Sequence, residues 1–239
     1  SLPPSAQTLR ELQLAHLFTV PFENLSVHYK ENIVLQNEPL FDKIVTRRRG
    51  GFCYELNGLF AALLRALGFQ VEMLSAGVTR PNGGFGPEFD HMMLMVTLDE
   101  RWLVDVGFGD SFREPLRLDD RRIQPQYARA YQLVADGQRL ILMEQKENDE
   151  SKPQYRFGLQ PYHFPNYEEI YHRLNPSQSR LQARRLAPCR PSVQCAWYLP
   201  LAQQRTLLRP QALPIRAICK VLRAILARGM YAAWFVAHK

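Results

Sequence analysis

Cys53 stands in the stretch RRRGGFCYELNGLF, residues 47 to 60, two residues behind a Gly-Gly pair and at the opening of a helical pattern. By default a free thiol is a small buried hydrophobe. It becomes a nucleophile when a helix N-terminus or an imidazolium lowers its pKa from about 8.5. The Gly50-Gly51 turn meets the first condition by delivering the sulfur to a first helical turn. Unpaired amides there favour a thiolate and can hydrogen-bond an oxyanion. Covalent catalysis then needs a base and a group that orients the base.

Among six histidines, His91 is the best placed. It heads the strand pattern HMMLMVTL, follows the glycine-rich stretch RPNGGFGPEF, and has Asp90 beside it. The next strand pattern, RWLVDVGF, sets Asp105 among Trp102, Leu103, Val104, Val106 and Phe108. An aspartate in such company is costly to bury unless it is paired, and His91 is the partner at hand. The pairing carries a condition of register. A two-residue turn at Asp99-Glu100 would set Asp105 opposite Leu94, facing away from His91. A three-residue loop over 98–100 sets it opposite Met93, on the face of His91 and within diagonal reach. The spacing therefore predicts an odd-length loop or a bulge near 98–100. Two further charges attend the cysteine. Glu23 follows Phe22 in PFEN, Arg49 immediately precedes the glycines, and an Arg49–Glu23 ion pair of bidentate geometry would clamp the cysteine loop. Arg47 and Arg48 read as a solvated face.

The elements that must position these groups follow from periodicity. Residues 6–18 read as a helix, ended by Pro21, with Asn24 available for a turn. Leu40, Phe41, Ile44 and Val45 make the narrow stripe of a second helix. Leu56, Leu59, Phe60, Leu63, Leu64 and Leu67 make the broad stripe of a third, capped at Gly68, and Cys53 falls on its face. From Gln70 the pattern changes to strands: VEMLSAGVT, HMMLMVTL, RWLVDVGF, and shorter ones around AYQLVA and RLILME. The glycine-rich stretch 80–89 opens no helix, so it reads as a surface loop and not a phosphate cradle.

The chain of 239 residues is long enough for a sizeable core, and its 46% hydrophobic content excludes a disordered protein. No signal peptide and no membrane-spanning run is legible, so a cytoplasmic protein without a membrane span is expected. The four cysteines form no disulfide framework and no metal-ligand spacing, and no metal is expected. The net charge of +7 is not spread evenly. Residues 170–239 hold 10 Arg, 2 Lys and no Asp or Glu, which leaves the preceding chain net acidic and speaks against a nucleic-acid surface. Three readings of this tail stand side by side: a basic lid that binds phosphates, a basic amphipathic helix built on Ile215, Ile218, Leu222 and Ile225, and a segment translated in a shifted frame. The composition favours the last.

The pieces VPFENLSVH, RRGGFCYELNGLFAALLRALGF, HMMLMV and RWLVDVGFG, in this order, resemble the arylamine N-acetyltransferase family over about residues 1–120, and the similarity fades after about 165. The resemblance implies an α+β, papain/transglutaminase-like architecture of three lobes: a helical bundle over 1–69, an antiparallel β-barrel over 70–165, and an α/β lid or aberrant tail over 166–239. It implies a Cys53–His91–Asp105 triad, with Glu23 and Arg49 in support. Phe22 and Phe108 would line an acceptor pocket, and Gly107 and Gly109 would let backbone approach the acyl group. The implied reaction is ping-pong, moving an acetyl group from acetyl coenzyme A through Cys53 to an arylamine, arylhydroxylamine or hydrazine. An amide synthase using a carrier-bound acyl chain, or an inactive remnant, is the alternative. The resemblance also implies a helix ahead of Ser1 and a His91-to-Asp105 interval one residue longer than the one present.

Overall fold

A computed structural model describes residues 3–29, 31–146 and 149–171; the basic tail and its three readings lie outside the described residues. Among the described residues, four α-helices precede the strands: α1 (Ala6–Thr19), α2 (Leu25–His28), α3 (Asn37–Phe41) and α4 (Cys53–Ala66). Helix α1 begins at Ser5, whose hydroxyl accepts the Thr8 amide, a standard N-cap that satisfies one of the orphan donors of the first turn. The stripe over 40–45 is not one α-helix. It passes from α3 into a π-helical turn, Asp42–Thr46, which sets Lys43 and Ile44 both inside. Helix α4 follows its leucine stripe and closes with Gly68 at φ +92°, the left-handed conformation that glycine adopts without strain.

Among the described residues, eight strands form one antiparallel sheet in the order β4-β3-β2-β1-β8-β7-β6-β5. They are β1 (Gln70–Val78), β2 (His91–Thr97), β3 (Arg101–Val104), β4 (Leu116–Arg117), β5 (Gln124–Gln126), β6 (Arg129–Asp136), β7 (Arg139–Lys146) and β8 (Lys152–Phe157). The strand expected over RWLVDVGF stops at Val104, so Asp105 lies in the loop that follows and not inside the strand. The sheet curls into a nearly closed barrel whose last gap is bridged by side chains. Gln124 accepts the Arg117 amide at 2.9 Å and donates to the Arg117 carbonyl at 3.0 Å, replacing a ladder pair. Gln126, two residues on and so on the same face, does likewise with the backbone of Arg113 and Glu114.

The alternation of strand side chains sorts the core in two. Met73, Met92, Leu94, Val96 and Val104 face the helices and pack with the α4 stripe. Leu74, Met93, Met95, Leu103, Leu133, Leu142 and Tyr155 fill the barrel. Strands β2 and β3 pair Leu94 with Val104 and Thr97 with Arg101, which leaves Leu98, Asp99 and Glu100 as a three-residue loop. The register is therefore the one that sets His91 and Asp105 on the same side, along with Met93 and Leu103. Among the described residues, no helix is long and apolar enough to cross a membrane.

Candidate active site

Helix α4 starts at Cys53 because two glycines allow the chain to turn against a neighbouring segment. A Cβ on Gly50 would lie 2.0 Å from the Pro21 carbonyl oxygen, so no other residue fits. Phe22 forms an isolated bridge with Gly51, and the Glu23 amide donates to the Gly51 carbonyl at 2.9 Å. Phe52 is the N-cap residue in an extended conformation, and the Glu55 carboxylate reaches back to accept its amide at 3.1 Å. Cys53, the first helical residue, is buried. The amides of this turn have no intrahelical acceptor.

Across from it the end of β2 meets the loop after β3. His91 Nε2 lies 2.7 Å from Asp105 Oδ2, and both residues are buried. Four donors converge on the carboxylate. Oδ2 also takes the Tyr155 hydroxyl at 3.3 Å, while Oδ1 takes Asn57 Nδ2 at 3.0 Å and the Gly107 amide at 2.9 Å. Asn57 in turn donates to the Met92 carbonyl at 2.8 Å and accepts the Val106 amide at 3.0 Å, so its whole amide group is engaged. Burial alone would push the His91 imidazole down. The charge of Asp105, with hydrogen bonds to that carboxylate and to the Cys53 thiol, raises it instead to about 10. Burial and the Asp105 charge hold the Tyr155 hydroxyl far above its usual range, so it stays a neutral donor.

Other residues singled out from the sequence take definite places. Asp90 accepts the Val78 amide and pairs with Arg80. Arg49 does reach Glu23, but not in the expected two-oxygen fork. Its Nε and Nη2 converge on the single oxygen Oε1 at 3.2 and 2.9 Å, while Nη1 goes to Glu31 and Nη2 also to Ser26. Phe108 stands edge-on to the His91 ring with centroids 5.0 Å apart, and Phe22 is 39% exposed beside the cysteine loop. The close approach allowed by Gly107 is to the cysteine itself: an added Cβ would lie 2.7 Å from Cys53 Cα and 2.8 Å from Asn57 Nδ2. Gly109 adopts φ +100° in the turn beyond.

Four contributors escaped the sequence reading. Asn57 sits one turn after Cys53 on the same helix face, and this i, i+4 spacing was the available signal. Tyr155 comes from β8, a strand that the pattern did not show. Lys43 donates to both Glu55 oxygens at 2.7 and 2.8 Å in a buried pair. Burial raises the Glu55 carboxyl above its ordinary value, with Lys43 opposing. Among the described residues, no group of three or more His, Cys, Asp or Glu could hold a metal ion.

A family model described as N-acetyltransferase matches residues 5–199, and the arylamine N-acetyltransferase of Escherichia coli K12 is 39% identical over 154 residues, 64% of this chain and 54% of that protein. The chain belongs to the arylamine N-acetyltransferase family. The family match runs well past residue 165, further than the resemblance was expected to reach. Two solved members share the fold. The arylamine N-acetyltransferase of Salmonella typhimurium superposes with a TM-score of 0.69 at 33% identity, over 75% of this chain and 67% of that one. That of Mycobacterium marinum, solved in complex with CoA, gives 0.66 at 33% identity, over 71% and 65%. The chain spans about half the length of the curated relatives it matches.

Proposed function

We propose that this chain carries the acetyl-transfer machinery of its family, taking an acetyl group from acetyl coenzyme A onto Cys53 and passing it to an aromatic amine, arylhydroxylamine or hydrazine. The observation that carries the reading is the buried His91–Asp105 pair at 2.7 Å, with the buried Cys53 thiol near enough to act on the imidazole. Relatives named arylamine N-acetyltransferases and a relative solved with CoA support the choice of donor and acceptor.

The chemistry follows from the residues in place. An imidazolium beside a helix N-terminus favours the Cys53 thiolate, which attacks the thioester carbonyl. The oxyanion forms next to the orphan amides of the first turn of α4. Collapse breaks the carbon–sulfur bond of the donor, and coenzyme A leaves as the thiol after taking the His91 proton. The amine then attacks the acetyl-cysteine, His91 accepts the amine proton, and the amide departs as the Cys53 thiolate is restored. Asp105 holds the ring in one orientation and stabilises its charged form, the task of the third group in any such array. Phe22 and Phe108 are suited to stack a flat acceptor beside the sulfur. In this reading the helices through residue 69 form one lobe and the barrel over 70–165 a second.

Intact mass after incubation with acetyl coenzyme A tests the proposal. A single acetyl adduct is expected in the folded parent and not in Cys53→Ala. A folded parent that gains no acetyl group overturns it.

A further inference from the structure

The helix turn that presents Cys53 also holds a buried carboxylate. Glu55, two residues on, caps the turn by accepting the Phe52 amide through Oε2 at 3.1 Å. Such a cap strengthens the helix start, yet its negative charge opposes a second one in the same turn. An unbalanced carboxylate in the same turn disfavours a neighbouring thiolate. Lys43 removes that conflict. Its Nζ lies 2.7 and 2.8 Å from the two Glu55 oxygens, and the side chain enters from the π-helical turn 42–46. Turns of this wide geometry recur at functional sites. Beyond Lys43 the charges go on alternating: Nζ is 3.8 Å from Glu23 Oε1, and that oxygen receives Arg49. Among the described residues, the other titratable groups that act on or respond to Cys53 are His91 from β2, with Asp105 behind it, and the hydroxyls of Tyr54 and of Tyr167 from the helix over 164–171, both held neutral by burial.

We infer that Lys43 is a positioning residue of the proposed reaction, cancelling the charge of the capping Glu55 so that a helix cap and a cysteine thiolate can share one turn. The inference rests on Cys53 being the nucleophile. A structural pair would need only to fill space and satisfy hydrogen bonds, whereas a charge-cancelling pair predicts shifts of opposite sign when either partner is neutralised.

The test is the pH profile of iodoacetamide alkylation at Cys53 in the full chain, read on the Cys53 peptide by mass spectrometry so that the other three cysteines do not interfere. Lys43→Met leaves Glu55 unbalanced, and the midpoint is expected to rise by about one to two pH units. Glu55→Gln keeps an oxygen for the Phe52 amide and leaves Lys43 unbalanced, so the midpoint is expected to fall. The double variant should return to within about half a unit of the parent, as coupled neighbours do in a mutant cycle. Two single variants that move the same way overturn the inference, as does a folded Lys43→Met with the parent's midpoint. If Lys43→Met does not fold, Glu55→Gln decides alone: a midpoint at or above the parent's overturns the inference. A parent Cys53 no faster than free cysteine at neutral pH sinks the nucleophile reading and this inference with it. A reactive parent with unmoved variants sinks only the inference.

Discussion

Among the described residues two histidines have buried ring nitrogens, one on the first helix and one at the head of the second strand, and their acid–base behaviour runs in opposite directions. His16 on α1 has no hydrogen-bond partner for either ring nitrogen among the described residues, and its ring stands edge-on to Phe60 at 5.2 Å. Burial pushes it down to about 3. Burial pushes on His91 in the same sense, yet the Asp105 carboxylate and the Cys53 thiol bring it to about 10. Enclosure alone therefore produces an inert imidazole. Chargeability arises where the fold delivers a carboxylate that is itself fixed, here by four donors from α4, β8, the loop and the histidine.

The strongest way to break the contrast is Asp105→Asn, which keeps the shape and removes the charge. Acetyl-enzyme formation should fall by about 10³–10⁴-fold, the loss typical when the orienting acid of such an array is neutralised. The same variant tests linkage. A folded-state pKa of about 10 lies above the unfolded value near 6.5, so the stability that His91 contributes is full below pH 6.5 and disappears as pH rises through 10. Denaturant midpoints of the parent should decline over that window, and those of Asp105→Asn should be flatter. Next in size, Asn57→Ala strands the buried Val106 amide and takes a donor from the Met92 carbonyl and from Asp105 Oδ1, which keeps only the Gly107 amide, and should cost about 3–5 kcal/mol in urea unfolding.

His16 sets the mirror-image limit. With a folded pKa near 3 against about 6.5 unfolded, its contribution is present above pH 6.5 and is lost as pH falls through 3. His16→Leu should therefore outlast the parent in acid, by about 2–3 kcal/mol at pH 4, and an equal acid decline in both chains would refute the assignment. Smallest of all, Arg47→Ala removes a partner from Asp42 where both side chains are more than half exposed. A change within about 0.5 kcal/mol is expected, which measures how little a carboxylate partner is worth in water compared with Asp105 inside.

Periodicity served where packing and pattern coincide. The α4 stripe, the helix over 6–18 and the longer strands could be read directly because one face of each meets a core. Strands β4 and β5, two and three residues long, have no period to show. Lys152 and Pro153 mask strand β8, and the apolar pattern of β3 outruns the strand because hydrophobicity continues past Val104 into a loop. Within the candidate site, Cys53, His91 and Asp105 stood out by type and setting, and the loop length that joins the last two was a condition that register arithmetic could state. Of their supports, the Glu23–Arg49 clamp is legible and the buried pair and amide are not: Asn57 looks like a polar break in a leucine helix, with only its i, i+4 spacing from Cys53 as a signal, and Lys43 looks like a surface cation. Each owes its place to a partner distant in sequence: Asn57 to Asp105, Lys43 to Glu55.

The glutamine closure of the barrel has a kinetic consequence. The amides of Arg113, Glu114 and Arg117 are held by side-chain oxygens of Gln124 and Gln126 in place of a neighbouring strand's carbonyls. A side chain can release its partner by rotating, whereas a strand must peel away. Deuterium uptake should accordingly begin along this line and spread from it, so that the barrel breathes at a fixed seam only a few residues of chain beyond the loop that positions Asp105.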